Sequence, residues 1–252
     1  SPSGAVAELG GTGTLTVTTF LDLDGVIREK AVTFGPGVVP TDGNIARIDN
    51  LDLADGATVA NDGEIIRADR IRMAEGTSWT NNGTLRVETG RDGEGIDTLG
   101  TPSTRPSFTN NGVLQFIDDG TQDGVLGVDL DNAGTLRLGV GAGTVDNPQV
   151  SRGVVNVTGA FTNQSGAEIV GTGFLGWADA AQVTNDGRVA PGHSVDPTGI
   201  LEISNFVMGV SATLDLDLVG GAAADEDELR ATGTIALDGT LNVTLNDVPL
   251  DT

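Results

Sequence analysis

Apolar residues in this chain come in short alternating runs of three to five positions, and none of them sustains a helical period. Ile45-Ala46-Arg47-Ile48, Leu51-Asp52-Leu53, Ile65-Ile66-Arg67 and Leu85-Arg86-Val87 are of this kind, each closed by a Gly, Asn or Asp turn. One phrase returns between them: an apolar residue, usually Thr, then Asn, a spacer and Gly, followed by the next β-rich run. It is read at Val59-Ala60-Asn61, Trp79-Thr80-Asn81, Phe108-Thr109-Asn110, Leu130-Asp131-Asn132, Phe161-Thr162-Asn163 and Val183-Thr184-Asn185. The Asn positions 61, 81, 110, 132, 163 and 185 are separated by steps of 20, 29, 22, 31 and 22. A fainter copy, Thr41-Asp42-Gly43, stands one step upstream. A step near 20 residues with two long intervals predicts a solenoid carrying two insertions, at 90–107 and 139–152.

The phrase has a physical sense. Asn tolerates a left-handed backbone and bonds backbone groups of a turn, and Gly takes positive φ without a steric penalty. When coils stack at about 4.8 Å, equivalent Asn residues align in a ladder, each amide bonding the next. The apolar residue two before Asn then stacks inside, as does the Leu or Val after Gly: Leu85, Leu114, Leu136 and Val189. Asn-Gly turns in an antiparallel sandwich are the rival arrangement. The regular step and the position-specific apolar flank favour parallel coils.

Residues 1–40 stand outside the repeat. Thr12 to Phe20 alternates Leu15 and Val17 against threonines, Leu21 to Gly25 reads as a turn-rich bridge, and Val26 to Phe34 as a second strand. The pair is expected to be a hairpin or an irregular first coil capping the stack, with Leu15, Val17 and Phe20 available to a neighbouring subunit. Residues 41–190 hold the regular coils. Residues 191–252 form a C-terminal section of longer alternating strands, with Leu214, Leu216 and Leu218 facing in and Asp215 and Asp217 out.

Composition narrows the functional classes. The chain has 252 residues, 38 Gly, no Cys and no Tyr, so thiol chemistry and disulfides are excluded. The formal charge is −23, from 36 acidic and 13 basic residues. Such a field repels nucleic acid and anionic lipid and attracts cations or a basic partner. No apolar run approaches the roughly 18 residues of a membrane helix.

Candidate chemistry is sparse. His193, Ser194 and Asp196 have the residue types of a catalytic triad but crowd one turn, where the three groups do not align, so no catalytic residue is assigned. Asp22 with Asp24, and Asp225 with Asp227, are weak calcium candidates; calcium wants six to eight oxygens, and Asp22-Leu23-Asp24-Gly25 lacks the full loop spacing. No other cofactor is expected, and any calcium is expected at low affinity. Arg67, Arg70, Arg72, Arg86, Arg91 and Arg105 cluster in the regular coils among carboxylates, which reads as ion pairing between rungs.

The run Asn185-Asp186-Gly187, Ala190-Pro191-Gly192-x-Ser194, Gly199-Ile200-Leu201, Leu214-Asp215-Leu216, Thr232-Gly233-Thr234 and Leu237-Asp238-Gly239-Thr240-Leu241-Asn242-Val243 resembles the passenger region of bacterial autotransporters and related repeat-built surface proteins. The resemblance covers roughly residues 41–252. His193 departs from the usual small polar residue, and Val195-Asp196-Pro197 lengthens the turn. The likeness implies a right-handed parallel β-helix of a bacterial surface and leaves activity open, because the same coils carry adhesins, proteases and stalks. With no catalytic residue assigned, the expectation is a secreted or surface-displayed protein with a structural or adhesive role and no enzymatic activity. The expected partners are further copies joined through the solenoid ends or the N-terminal strand, into a filament or surface layer, and a cell-surface or glycan ligand. The alternative is a polysaccharide lyase or glycoside hydrolase on the same scaffold, marked by a cleft with Arg or Lys beside paired carboxylates.

Overall fold

The computed structural model describes residues 7–9, 14–17, 22–28, 31–34, 47–54, 56–89, 94–118, 124–139, 153–177, 183–192, 199–219 and 226–246. These residues form 25 strands and no helix. Every pairing between the strands is parallel, and they join into one continuous stack, a right-handed parallel β-helix with three faces. Two isolated antiparallel bridges, Gly171 with Gly192 and Leu218 with Glu226, lie outside the strand ladders.

The first face stacks Ala7–Leu9, Asp22–Arg28, Arg47–Ala54, the latter part of Glu64–Met73, Gly95–Thr98, Gly124–Leu126, Gly153–Val157, Gly173–Trp177, the start of Ile200–Met208 and the start of Glu228–Ala236. The second stacks Thr14–Val17, Ala31–Phe34, Thr58–Asn61, Ser78–Asn81, Ser107–Asn110, Asp129–Asn132, Phe161–Asn163 and Val183–Asn185, and ends on the later parts of Ile200–Met208 and Glu228–Ala236. The third begins with the start of Glu64–Met73 and continues through Thr84–Thr89, Val113–Asp118, Thr135–Leu138, Glu168–Gly171, Arg188–Pro191, Thr213–Val219 and Thr240–Asn246. Because side chains alternate across a strand, each face turns every second residue into a shared core.

Register decides what that core contains. Val59, Trp79, Phe108, Leu130, Phe161 and Val183 lie opposite one another in succession on the second face, all buried. Trp79 and Phe108 stack with ring centroids 6.0 Å apart and planes 7° apart. Leu85, Leu114, Leu136 and Val189 supply the third face, and Ile71, Ile96 and Leu126 the first. No single rung could bury such side chains alone, so each depends on its neighbours.

The six Asn residues form a second, polar column inside. Each side-chain amide donates to the Oδ1 of the next, from Asn61 to Asn81 to Asn110 to Asn132 to Asn163 to Asn185, at 2.5–2.7 Å. All six are fully buried. The same Nδ2 groups also reach backbone carbonyls at the corner between the second and third faces, for example Asn81 to Gly83 O and Val113 O. The corner thus keeps its polar groups satisfied without water, the condition on which buried polar atoms are tolerated. In register, Phe34 is the position opposite Asn61 and Met208 the position opposite Asn185, so the Asn phrase begins and ends with this column.

Three sequence expectations change. Of the two arrangements expected of the N-terminal segment, the first coil holds and the hairpin does not: Ala7–Leu9 pairs parallel to Asp22–Arg28 and Thr14–Val17 parallel to Ala31–Phe34, as the first rungs of the stack. Leu15 and Val17 stand opposite Val32 and Phe34, while Phe20 lies outside the described residues. Leu21 to Gly25 is not a bridging turn either, because residues 22–25 belong to Asp22–Arg28, which pairs along Arg47–Ala54 with one register shift between Leu23 and Asp24. Finally, the first insertion is narrower than 90–107, since Gly95–Thr98 inside it is a rung of the first face; the second, 139–152, lies outside the described residues beyond Gly139.

Candidate functional site

The outward positions of the third face build a trough. The residue that follows the inner apolar residue on each rung runs Arg86, Gln115, Arg137, Val170, Ala190, and, in the last two rungs, Asp215 and Asn242. Long side chains thus give way to Val170 and Ala190 and then resume. The gap is a depression of about 650 Å³ walled by Arg137, Glu168, Arg188, Asp215, Asp217, Asp227, Asn242 and Thr244, with Val170, Ala190, Pro191 and Gly192 at its base. Its volume lies in the range of small-ligand sites. Arg137 and the rung of Asp215 are three rungs apart, roughly 14 Å at about 4.8 Å per rung.

One wall is an ionic triad. Arg188 donates from Nε to Asp215 Oδ2 at 2.5 Å and from Nη1 to Glu168 Oε1 at 3.3 Å. Burial acts to lower the Arg188 pKa, but the bonds to Asp215 and the neighbouring charge of Glu168 outweigh it and raise the value. The guanidinium is therefore a permanent cation that fixes both carboxylates. Asn242 Nδ2 donates to the other oxygen of Asp215 at 2.8 Å.

Asp227 closes the downstream side. It is buried, and its carboxylate accepts the backbone N–H of Gly199 and of Asp217, each at 2.8 Å. This calcium candidate is occupied with backbone donors. Asp225 lies outside the described residues, and Asp22 and Asp24 stand in a strand opposite Arg47 and Asn50. Among the described residues no group of three or more acidic or His side chains is placed to hold a metal ion.

Arg137 is placed differently from Arg188. Its Nε is buried and meets no hydrogen-bond partner among the described residues. The trough thus has a donor-only group at one end and acceptor-only carboxylates at the other.

The chain matches no family model, no curated protein and no solved structure. The trough and the stack are therefore read on their own chemistry.

The remaining candidates are dispersed. His193, Ser194 and Asp196 lie outside the described residues. Arg72 donates from Nε and Nη2 to the two oxygens of Asp52 on the preceding rung, both at 2.7 Å. Arg105 reaches Gly127 O and Thr158 Oγ1, pinning the loop that ends at Pro106 to later rungs. Among the described residues no helix is long and apolar enough to cross a membrane. Sequence reasoning noted Asp215 and Asp217 as a pair but missed Arg137 and Arg188. Counting one residue past each inner apolar position would have found the row that holds Arg137.

Proposed function

We propose that this chain is an extracellular structural and adhesive β-solenoid of a bacterial cell surface, whose copies join end to end. The observation that supports the reading most is the continuous parallel stack with its buried Asn column, which makes an extended element with three outward faces. The likeness of residues 185–243 to autotransporter passengers points the same way for location. The last described rung presents an apolar edge that a further strand, of this chain or of a copy, would cover. Leu241, Val243 and Leu245 are 60%, 50% and 62% exposed, although Leu214 one rung earlier is buried. Electron microscopy of purified protein tests this: rods that lengthen with concentration are expected, and dispersed monomers at all concentrations, with or without calcium, would sink it. Surface protease accessibility in the native bacterium tests the location.

A second reading, glycan cleavage, is favoured by one observation: Arg188 stands beside Asp215 and Asp217 in the trough. Two carboxylates at i and i+2 on one strand face are close to the spacing that glycosidases use. Against it, Asp215 is already shared between Arg188 and Asn242. A reducing-end assay on acidic and neutral polysaccharides decides; no product from any of them would end this reading.

A further inference from the structure

The trough's donors and acceptors specify a ligand more narrowly than "adhesive" does. We infer that the trough on the third face binds a neutral oligosaccharide lying along the solenoid axis, from Arg137 to Asp217. The inference rests on the adhesive half of the proposed function and names its ligand.

The argument is one of matching. Arg137 offers only donors to the trough and Asp217 only acceptors from its side chain. Asn242 and Thr244 add groups of both kinds on the same wall. A ligand that satisfies both ends must donate and accept along its length, as a chain of sugar hydroxyls does. The rungs are fixed by the stacked backbone, so these groups are preorganised and lose little freedom on binding. A β-linked pyranose chain also advances by close to one rung per residue, so hydroxyls recur in step with the wall. Val170 and Ala190 leave a smooth base for the less polar ring faces.

Charge excludes the other glycan classes. An anionic chain would meet Glu168, Asp215, Asp217 and Asp227 within the trough and a net charge of −23 beyond it. A polycationic chain would bind the acidic surface at large and would gain nothing from Arg137. A neutral chain alone is drawn to this trough over the rest of the surface.

The test uses the full chain and pentasaccharide probes: cello-, xylo- and manno-pentaose as neutral chains, a galacturonate pentamer as anion and a chitosan pentamer as cation. Titration is followed by NMR shifts of the protein at low and high salt. Binding of at least one neutral pentasaccharide, little changed by salt, is expected. Arg137→Ala and Asp217→Asn, made separately, should each weaken it about tenfold or more. Arg72→Ala, on another face, should leave it unchanged. The inference is overturned if no neutral pentasaccharide binds, if only the chitosan pentamer binds and salt abolishes it, or if binding survives both trough substitutions in folded protein. Rods in the microscope without sugar binding would overturn this inference and spare the scaffold reading; cleavage of a bound neutral sugar would uphold it and favour the second reading.

Discussion

Asn110 donates its side-chain amide to Asn132 Oδ1 at 2.6 Å, and both residues are sealed from solvent. The Oδ1 of Asn110 in turn accepts from Asn81, and its Nδ2 also serves Gly112 O and Thr135 O. Asn110→Ala therefore strips partners on both sides and leaves buried donors and acceptors unmet, at a cost of about 3 kcal/mol or more. Asn185, at the column's downstream end, receives Asn163 and donates to Gly187 O. Asn185→Ala should cost about half as much. Urea unfolding measures both. Equal losses would show that the column acts as isolated turns rather than as a ladder.

Glycines flanking this corner separate two causes of intolerance. At Gly112 an added Cβ would run into the backbone carbonyl of Gly83 on the rung before, which has no freedom to retreat. At Gly166 φ is +85° and open space surrounds the position. Gly166→Ala should lose about 1 kcal/mol, from left-handed backbone strain alone. Gly112→Ala should lose at least about 2 kcal/mol, because the rungs must separate locally. Thermal unfolding of the two variants checks the order, and a reversal would place the rungs further apart than described.

Glu75 gives a pH signature for the loop after Gly95–Thr98. Ser103 donates Oγ to Glu75 Oε1 at 2.6 Å and its backbone N–H to Oε2 at 3.1 Å. These bonds hold the Glu75 pKa below its ordinary value, despite a small opposing effect of burial. A carboxylate whose folded pKa is depressed stabilises the fold above its unfolded pKa, and that contribution disappears as pH falls through the lower, folded value. An NMR titration of Glu75 should therefore show a midpoint below the usual glutamate value, moving up in Ser103→Ala. An unchanged midpoint in the variant would mean that the loop is not tied to the earlier rung by this contact.

The architecture was legible in the sequence because every rung repeats one local solution. An apolar residue, two steps, an Asn and a Gly turn specify both the inner column and the corner, so Val59 through Val183 and Asn61 through Asn185 could be aligned by counting. The first two rungs fitted a hairpin as well as a coil, because they lack the Asn phrase and set Phe34 opposite Asn61. The trough was hidden for a different reason. Its walls come from rungs far apart in sequence, and what makes it a depression is small size at Val170, which no motif marks, and at Ala190, whose Ala-Pro-Gly motif reads as a turn into the next coil. Arg188 carries meaning only beside Glu168 and Asp215, 20 and 27 positions away.

The last described rung carries the remaining prediction. Thr240–Asn246 pairs in full register with Thr213–Val219, so Leu241, Val243 and Leu245 continue the positions of Leu214, Leu216 and Leu218. Leu214 is buried, whereas the three later residues are half exposed or more. An edge with free backbone groups and alternating apolar side chains is a template for another strand, and charge on such an edge is the usual protection against pairing. Under the end-joining proposal, Leu241→Asp with Val243→Asp should convert concentration-dependent assemblies into monomers in sedimentation velocity. The same pair should change the unfolding midpoint little, since side chains this exposed contribute little to stability. A wild-type protein that sediments as a monomer at every concentration would remove the proposal, and a double variant that still assembles would move the joint away from this edge.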